Sequence, residues 1–169
     1  MALFPRGIFA ALKSELQGAS GLAYVDTVVI RQYRPTMLPN FDHHCIIISP
    51  EAATSETYPA KQKWIKLEIT LVCLVRVLYS NGYTLEDAIM GDTPGGTPPK
   101  VGILAMYEDI YQELFENSLG GVIEHYPGLQ ELDNRCDFRL VGDESREDFI
   151  VEGRIYYTPY GQRFITPTT

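Results

Sequence analysis

Cysteine is scarce in this chain. Cys45, Cys73 and Cys136 stand far apart, and no C-x-x-C occurs, so neither a zinc-ribbon spacing nor a thioredoxin-like pair is present. Two of the three lie in apolar runs, where a reduced cysteine behaves as a small buried hydrophobe; the expectation is a reducing compartment. Positive charge is scarce too, with 14 Lys and Arg against 22 Asp and Glu and a formal net charge of −8. A nucleic-acid grip needs clustered Lys and Arg to displace counterions from phosphates, and no long basic run supplies it. Long hydrophobic runs are missing: "ITLVCLV" falls far short of the roughly 20 apolar residues of a membrane span. The opening "MALFPRGIFAALKSEL" is too short and too interrupted for a signal peptide. Neither nucleic acid nor a membrane is therefore expected as a partner.

Catalytic signatures are absent as well. There is no G-x-S-x-G elbow and no H-E-x-x-H. The glycine-rich "GDTPGGTPPK" departs from a Walker loop, which needs Lys and then Ser or Thr directly after its last glycine. Here Thr97, Pro98 and Pro99 follow Gly96, and two prolines remove N–H donors that would cradle phosphate. Internal repeats and low-complexity tracts are lacking.

What is present is the material of one domain: 169 residues, 45% of them hydrophobic, enough for a real core. "RGIFAALKSELQGASG" reads as an amphipathic helix, with Ile8, Leu12 and Leu16 on one stripe and Gly18 and Gly21 as stops. "LAYVDTVVIRQYRP" suits a strand ending at Pro35, and "HHCIIIS" a short strand closed by Pro50. "EAATSETYPAK" reads as a polar loop. "KWIKLEITLVCLVRVL" alternates most strongly, with odd-numbered residues from Ile65 to Val77 on one face and Lys66, Glu68, Thr70 and Arg76 on the other. Such a strand outruns the usual length, which suggests either an end that leaves the core to reach a neighbour or a bent strand held wholly inside one sheet. A long connection follows, with one helical turn at "LEDAIM". The main helix lies in "PPKVGILAMYEDIYQELFEN", with a stripe of Ile103, Tyr107, Ile110 and Leu114 widened by Leu104, Tyr111 and Phe115, prolines in its first turn, and Asp109 among the residues facing water. "RCDFRLVG" and "FIVEGRIYYTPY" close the chain as two strands.

These elements predict a single α+β (α/β) domain over residues 1–163, with 164–169 as a flexible tail. The sheet is mixed and mostly antiparallel, of about five strands, with two main helices packed on one face. The other face is expected to stay half-polar and open to a partner.

"NFDHHCIIISP" holds the densest chemistry: Asp42, His43, His44 and Cys45 are consecutive. Neighbours in a strand point to opposite faces, so His43 and His44 do not reach one metal together, whereas His43 and Cys45 share a face. A structural zinc site takes four ligands and a catalytic one three; His125 and Cys136 are the remaining candidates, and no spacing ties them to this stretch. A Cys–His nucleophile pair would rest on Cys45, which leads into "IIIS" and is expected to be buried and inert. The expectation is a strand mouth with no catalytic residue, cofactor or metal. A small metal-dependent hydrolase built on His43, His44 and Cys45 is the rival reading.

The order of elements resembles that of the tail terminator, or tail-completion, proteins of long-tailed bacteriophages. The likeness is carried by the N-terminal helix followed by "VDTVVIRQYRP", the P-x-F…IIISP strand, and the long alternating "KWIKLEITLVCLVRVL". The helix "ILAMYEDIYQELFEN" and the pair "FRLVG…FIVEGRIYYT" complete it. The resemblance implies an α/β domain with a mixed sheet and a structural role in the virion, at the head-proximal end of the tail, after assembly in the host cytoplasm. Such proteins form a ring, generally a hexamer, on the last ring of the tail tube, stop its growth and offer a surface to the head connector. The implied partners are further copies of the chain, the tube protein and a connector or neck protein. Another neck or head–tail joining component of similar fold is the alternative. Catalytic residues do not come with the resemblance. Exposed strand charges are the candidate interface residues: Arg31, Arg34, Lys66, Glu68 and Arg76.

Overall fold

The amphipathic pattern at the N-terminus becomes helix α1 (Arg6–Gly18), whose Ile8, Leu12 and Leu16 are buried. The fold comes from a computed structural model that describes residues 6–57, 62–123, 132–141 and 148–164. A short 3-10 turn (Ser20–Leu22) leads to β1 (Thr27–Ile30), and the chain then crosses to β2 (His44–Thr57) and β3 (Gln62–Leu78). A second 3-10 turn (Tyr79–Asn81) precedes α2 (Leu85–Met90) and a miniature hairpin of β4 (Asp92–Thr93) and β5 (Lys100–Val101). Helix α3 (Ile103–Leu114) follows, then β6 (Leu132–Val141), β7 (Asp148–Tyr157) and β8 (Tyr160–Phe164).

The main sheet runs β1-β2-β3-β7-β6, with β1 parallel to β2 and the other neighbours antiparallel. β3, with 17 residues, is its spine. One of its edges is taken by β2 over nearly its whole length. β7 pairs with Ile69–Leu78, and β8 pairs with Gln62–Lys66. The domain is thus α+β with a mixed sheet and two main helices, as the element pattern predicts.

Strand parity is as the alternation in β3 requires. Ile65, Leu67, Ile69, Leu71, Cys73, Val75 and Val77 join one core with Ile8, Leu12 and Leu16 of α1 and Ile103, Met106, Ile110 and Leu114 of α3. Two glycines seat α3. A side chain on Gly102 would run into the backbone of Ile89 and Met90, and one on Gly153 would meet the Ile103 side chain 2.7 Å away. Only bare backbone lets α3 start against the end of α2 and rest on β7.

Several boundaries differ from the sequence pattern, each for a physical reason. "EAATSET" is not loop: β2 continues through it, because β3 offers a full-length edge whose backbone groups need partners. A bulge between Pro50 and Ala52 absorbs the proline. β1 is only four residues, pairing with Cys45–Ile48. Pro98 and Pro99 precede α3 rather than occupying its first turn. The buried stripe of α3 takes Met106 in place of Tyr107, while Leu104 and Phe115 are exposed. Arg163 and Phe164 pair with Lys63 and Gln62 in β8, so the chain is ordered strand as far as Phe164; residues 165–169 of the expected tail lie outside the described residues.

Candidate functional site

The Asp42–Cys45 stretch is built by its neighbour Asp26. Its carboxylate accepts the backbone N–H of Asp42 (3.4 Å), His43 (2.6 Å) and His44 (3.0 Å), fixing the mouth of β2 beside the start of β1. From there the side chains part. His44 enters the helix-side core, fully buried, with the Tyr24 ring edge-on at 5.2 Å and Tyr83 beyond it. Its Nε2 lies 2.8 Å from the Val101 carbonyl oxygen, which only accepts, so Nε2 carries the proton. Burial holds the imidazole below its ordinary pKa. Tyr83 donates to the same carbonyl at 3.0 Å.

Cys45 turns to the opposite face, fully buried among Phe41, Ile47, Val72 and Leu74. Burial, seconded by the Asp26 carboxylate, pushes its thiol up to about 12, so the reactive thiolate is suppressed. His43 sits at the strand end beside Asn81, Thr97 and Pro98. The sheet itself therefore separates His44 from Cys45, and the three residues of the hydrolase reading do not converge. Among the described residues no three His, Cys, Asp or Glu side chains gather as metal ligands would; His125 lies outside them.

The face away from the helices is partly closed, contrary to the sequence expectation. After β1 the chain crosses it, laying Tyr33, Leu38 and Phe41 over Ile47, Val72, Leu74 and Ile150. The crossing is pinned by a buried carboxylate. Glu152, on β7, is fully buried and accepts a hydrogen bond from the Tyr33 hydroxyl. Arg154 Nε reaches it at 2.6 Å and Arg139 Nε at 3.1 Å. Burial and the Glu152 carboxylate push the Tyr33 phenol up to about 12. Ser49 Oγ accepts the Tyr33 N–H at 3.0 Å. Glu152, Arg139 and Tyr33 went unmarked in the sequence. The signal was the alternation of "FIVEGRIYY", in which Glu152 and Arg154 share a face with Ile150.

The five candidate interface charges do not form one patch. Lys66 and Glu68 stand together on β3, 3.8 Å apart and half exposed. Arg76 is ten residues further along the strand, about 30 Å at the rise of an extended chain. It is half-buried with its guanidinium 4.7 Å over the Phe41 ring, which corrects its reading as an exposed strand charge. Thr70, on the same face, is buried as well. Arg31 is half-buried just past β1, its N–H bonded to the Ile48 carbonyl, and Arg34 is exposed in a turn of the crossing segment.

The sheet margin carries two further features. Among the described residues, β6 has no partner on its outer edge, and β2 has no strand partner on its outer edge beyond Ile48. Beside β6 an apolar groove of about 320 Å³ lies between Phe138 and Leu140 on the strand and Leu85, Ile89 and Leu104 on the helices. Phe138 is 50% exposed and Leu104 41%. An exposed apolar patch on a sheet margin is a surface that another protein can cover. No described helix is long and apolar enough to cross a membrane. A scan against protein-family models finds no match to this chain, and a search of curated proteins finds none either.

Proposed function

We propose that this chain is a structural virion protein that caps the head-proximal end of a phage tail tube as a ring of its own copies, stopping tube growth and presenting the joining surface to the head connector. The reading rests on the resemblance in element order. The observation that supports it best is the β2–β3 ladder, which runs on past the end of β1 to Thr57 and Lys63 and leaves residues 51–54 exposed. A sheet with an extended hairpin and open margins is one that identical subunits can join head-to-tail, closing when the rotation between them allows.

The test is electron microscopy of tail tubes assembled with and without the protein. The expected outcome is tubes of one length, each with a ring of added density at one end and competent to join heads. Tubes that grow, end and join heads equally well without it would remove the proposal.

A further inference from the structure

Among the described residues the sheet has two margins without a strand partner, and they complement each other. We infer that the outer edge of β6, with the groove beside it, is the docking site for the part of β2 that extends past β1, Ala52–Thr57, of a second copy. This deepens the ring reading and rests on it.

Direction comes first. β2 and β7 are both antiparallel to β3, and β6 is antiparallel to β7, so β2 and β6 run in opposite senses. A neighbour that continues the sheet without flipping it therefore meets β6 with an antiparallel strand, the arrangement with the better-aligned hydrogen bonds. β6 offers ten residues for that ladder. The two margins sit at different heights along β3, so strands joined this way tilt relative to the ring axis, as they do in any closed barrel.

The faces agree as well. Ala53 pairs with Leu67, and Phe138 with Gly153 beneath Ile103, so both lie on the helix side. A continuing β2 sets small residues, Ala53 foremost, against the exposed Phe138 and Leu140 at the outer side of the groove. The opposite face of β6 is balanced in charge: Arg135 is bonded to Asp137 at 2.8 Å, Arg139 and Arg154 share Glu152, and Asp133 offsets the remaining guanidinium. The arriving stretch "SPEAATSET" at 49–57, with two glutamates and no cation, therefore meets no net like charge along that edge.

The experiment is disulfide trapping with Ala53→Cys and Phe138→Cys in one chain carrying Cys136→Ser, under mild oxidation at raised ionic strength. Residues 53 and 138 occupy opposite margins of the sheet, so a bond between them joins two copies. The expected result is a reductant-sensitive ladder that stops at one subunit number, with dimers at most from either single variant. The melting temperature of the reduced double variant reports whether it folds. Leu140→Glu, on a 40% exposed side chain, is the second variant: it should keep the wild-type melting temperature and raise the concentration needed for assembly at least about tenfold. Absence of the ladder from protein that self-associates overturns the inference, as does wild-type assembly by Leu140→Glu, or a wild type that stays monomeric throughout. Laddered rings that never cap tubes would end the capping reading alone; capping without the ladder would end the docking assignment alone.

Discussion

His44 shows how one residue type carries opposite meanings at the same spot in the sequence. Next to His43 and Cys45 it looks like a ligand or a base; in the fold it is a buried, neutral ring donating to Val101. Its neutrality has a measurable consequence. Burial depresses the folded pKa, whereas the unfolded chain takes up its proton near pH 6.5. Below that pH the unfolded state binds more protons, so the His44 contribution is complete above about pH 6.5 and is lost as pH falls beneath it. Stability measured by urea unfolding should decline between pH 6.5 and 5, by at most about 1.4 kcal/mol per unit from this one group. His44→Gln should be less stable at pH 7.5 and should flatten that decline. An unchanged pH slope in the variant would show that His44 is not the titrating group.

Among the elements, β3 was the most legible. Its alternation from Ile65 to Val77 needs only the two-residue period of a strand, and the residues it turns toward the helices are the predicted ones. What the period does not encode is how far neighbours extend. The residues of β2 beyond Pro50 are polar or small, "EAATSET", and their strand state is imposed by hydrogen bonding to β3. The crossing of residues 31–43 was equally hidden, because it depends on Glu152, more than a hundred positions away, meeting Tyr33. Thus the helix face could be read and the opposite face could not. Leu71→Asp places an unpaired carboxylate among α1, α3 and β3 and should cost about 4 kcal/mol or more, a large part of an ordinary domain's stability. Thr70→Asp lies on the other face, where Arg154 lines the same hollow, and should be markedly milder. Thermal melts of the two variants compare the faces directly. Equal losses would overturn the account of what each face packs against.

At the scale of the whole molecule the governing quantity is charge. Each chain carries a formal −8, and copies brought into a ring repel one another over distances comparable with the Debye length, about 8 Å at physiological ionic strength. The apolar groove and the open strand edges favour association, and the net charge opposes it. That balance suits a subunit that stays apart in dilute solution and joins its copies on a template, where neighbours are held at the right spacing. A strand edge left open in a free monomer also invites uncontrolled pairing, and like net charge on every copy is one way to suppress it. The expected behaviour is a monomer at low ionic strength whose mass, followed by multi-angle light scattering, rises when salt or millimolar magnesium screens the repulsion. The rise should stop at a single closed number, because a ring leaves no free margin for another copy. Mass that falls with added salt would mean that attraction between opposite charges, rather than the apolar margin, drives association. Mass that climbs without limit would mean that the rotation between neighbours fails to close and the chain builds filaments.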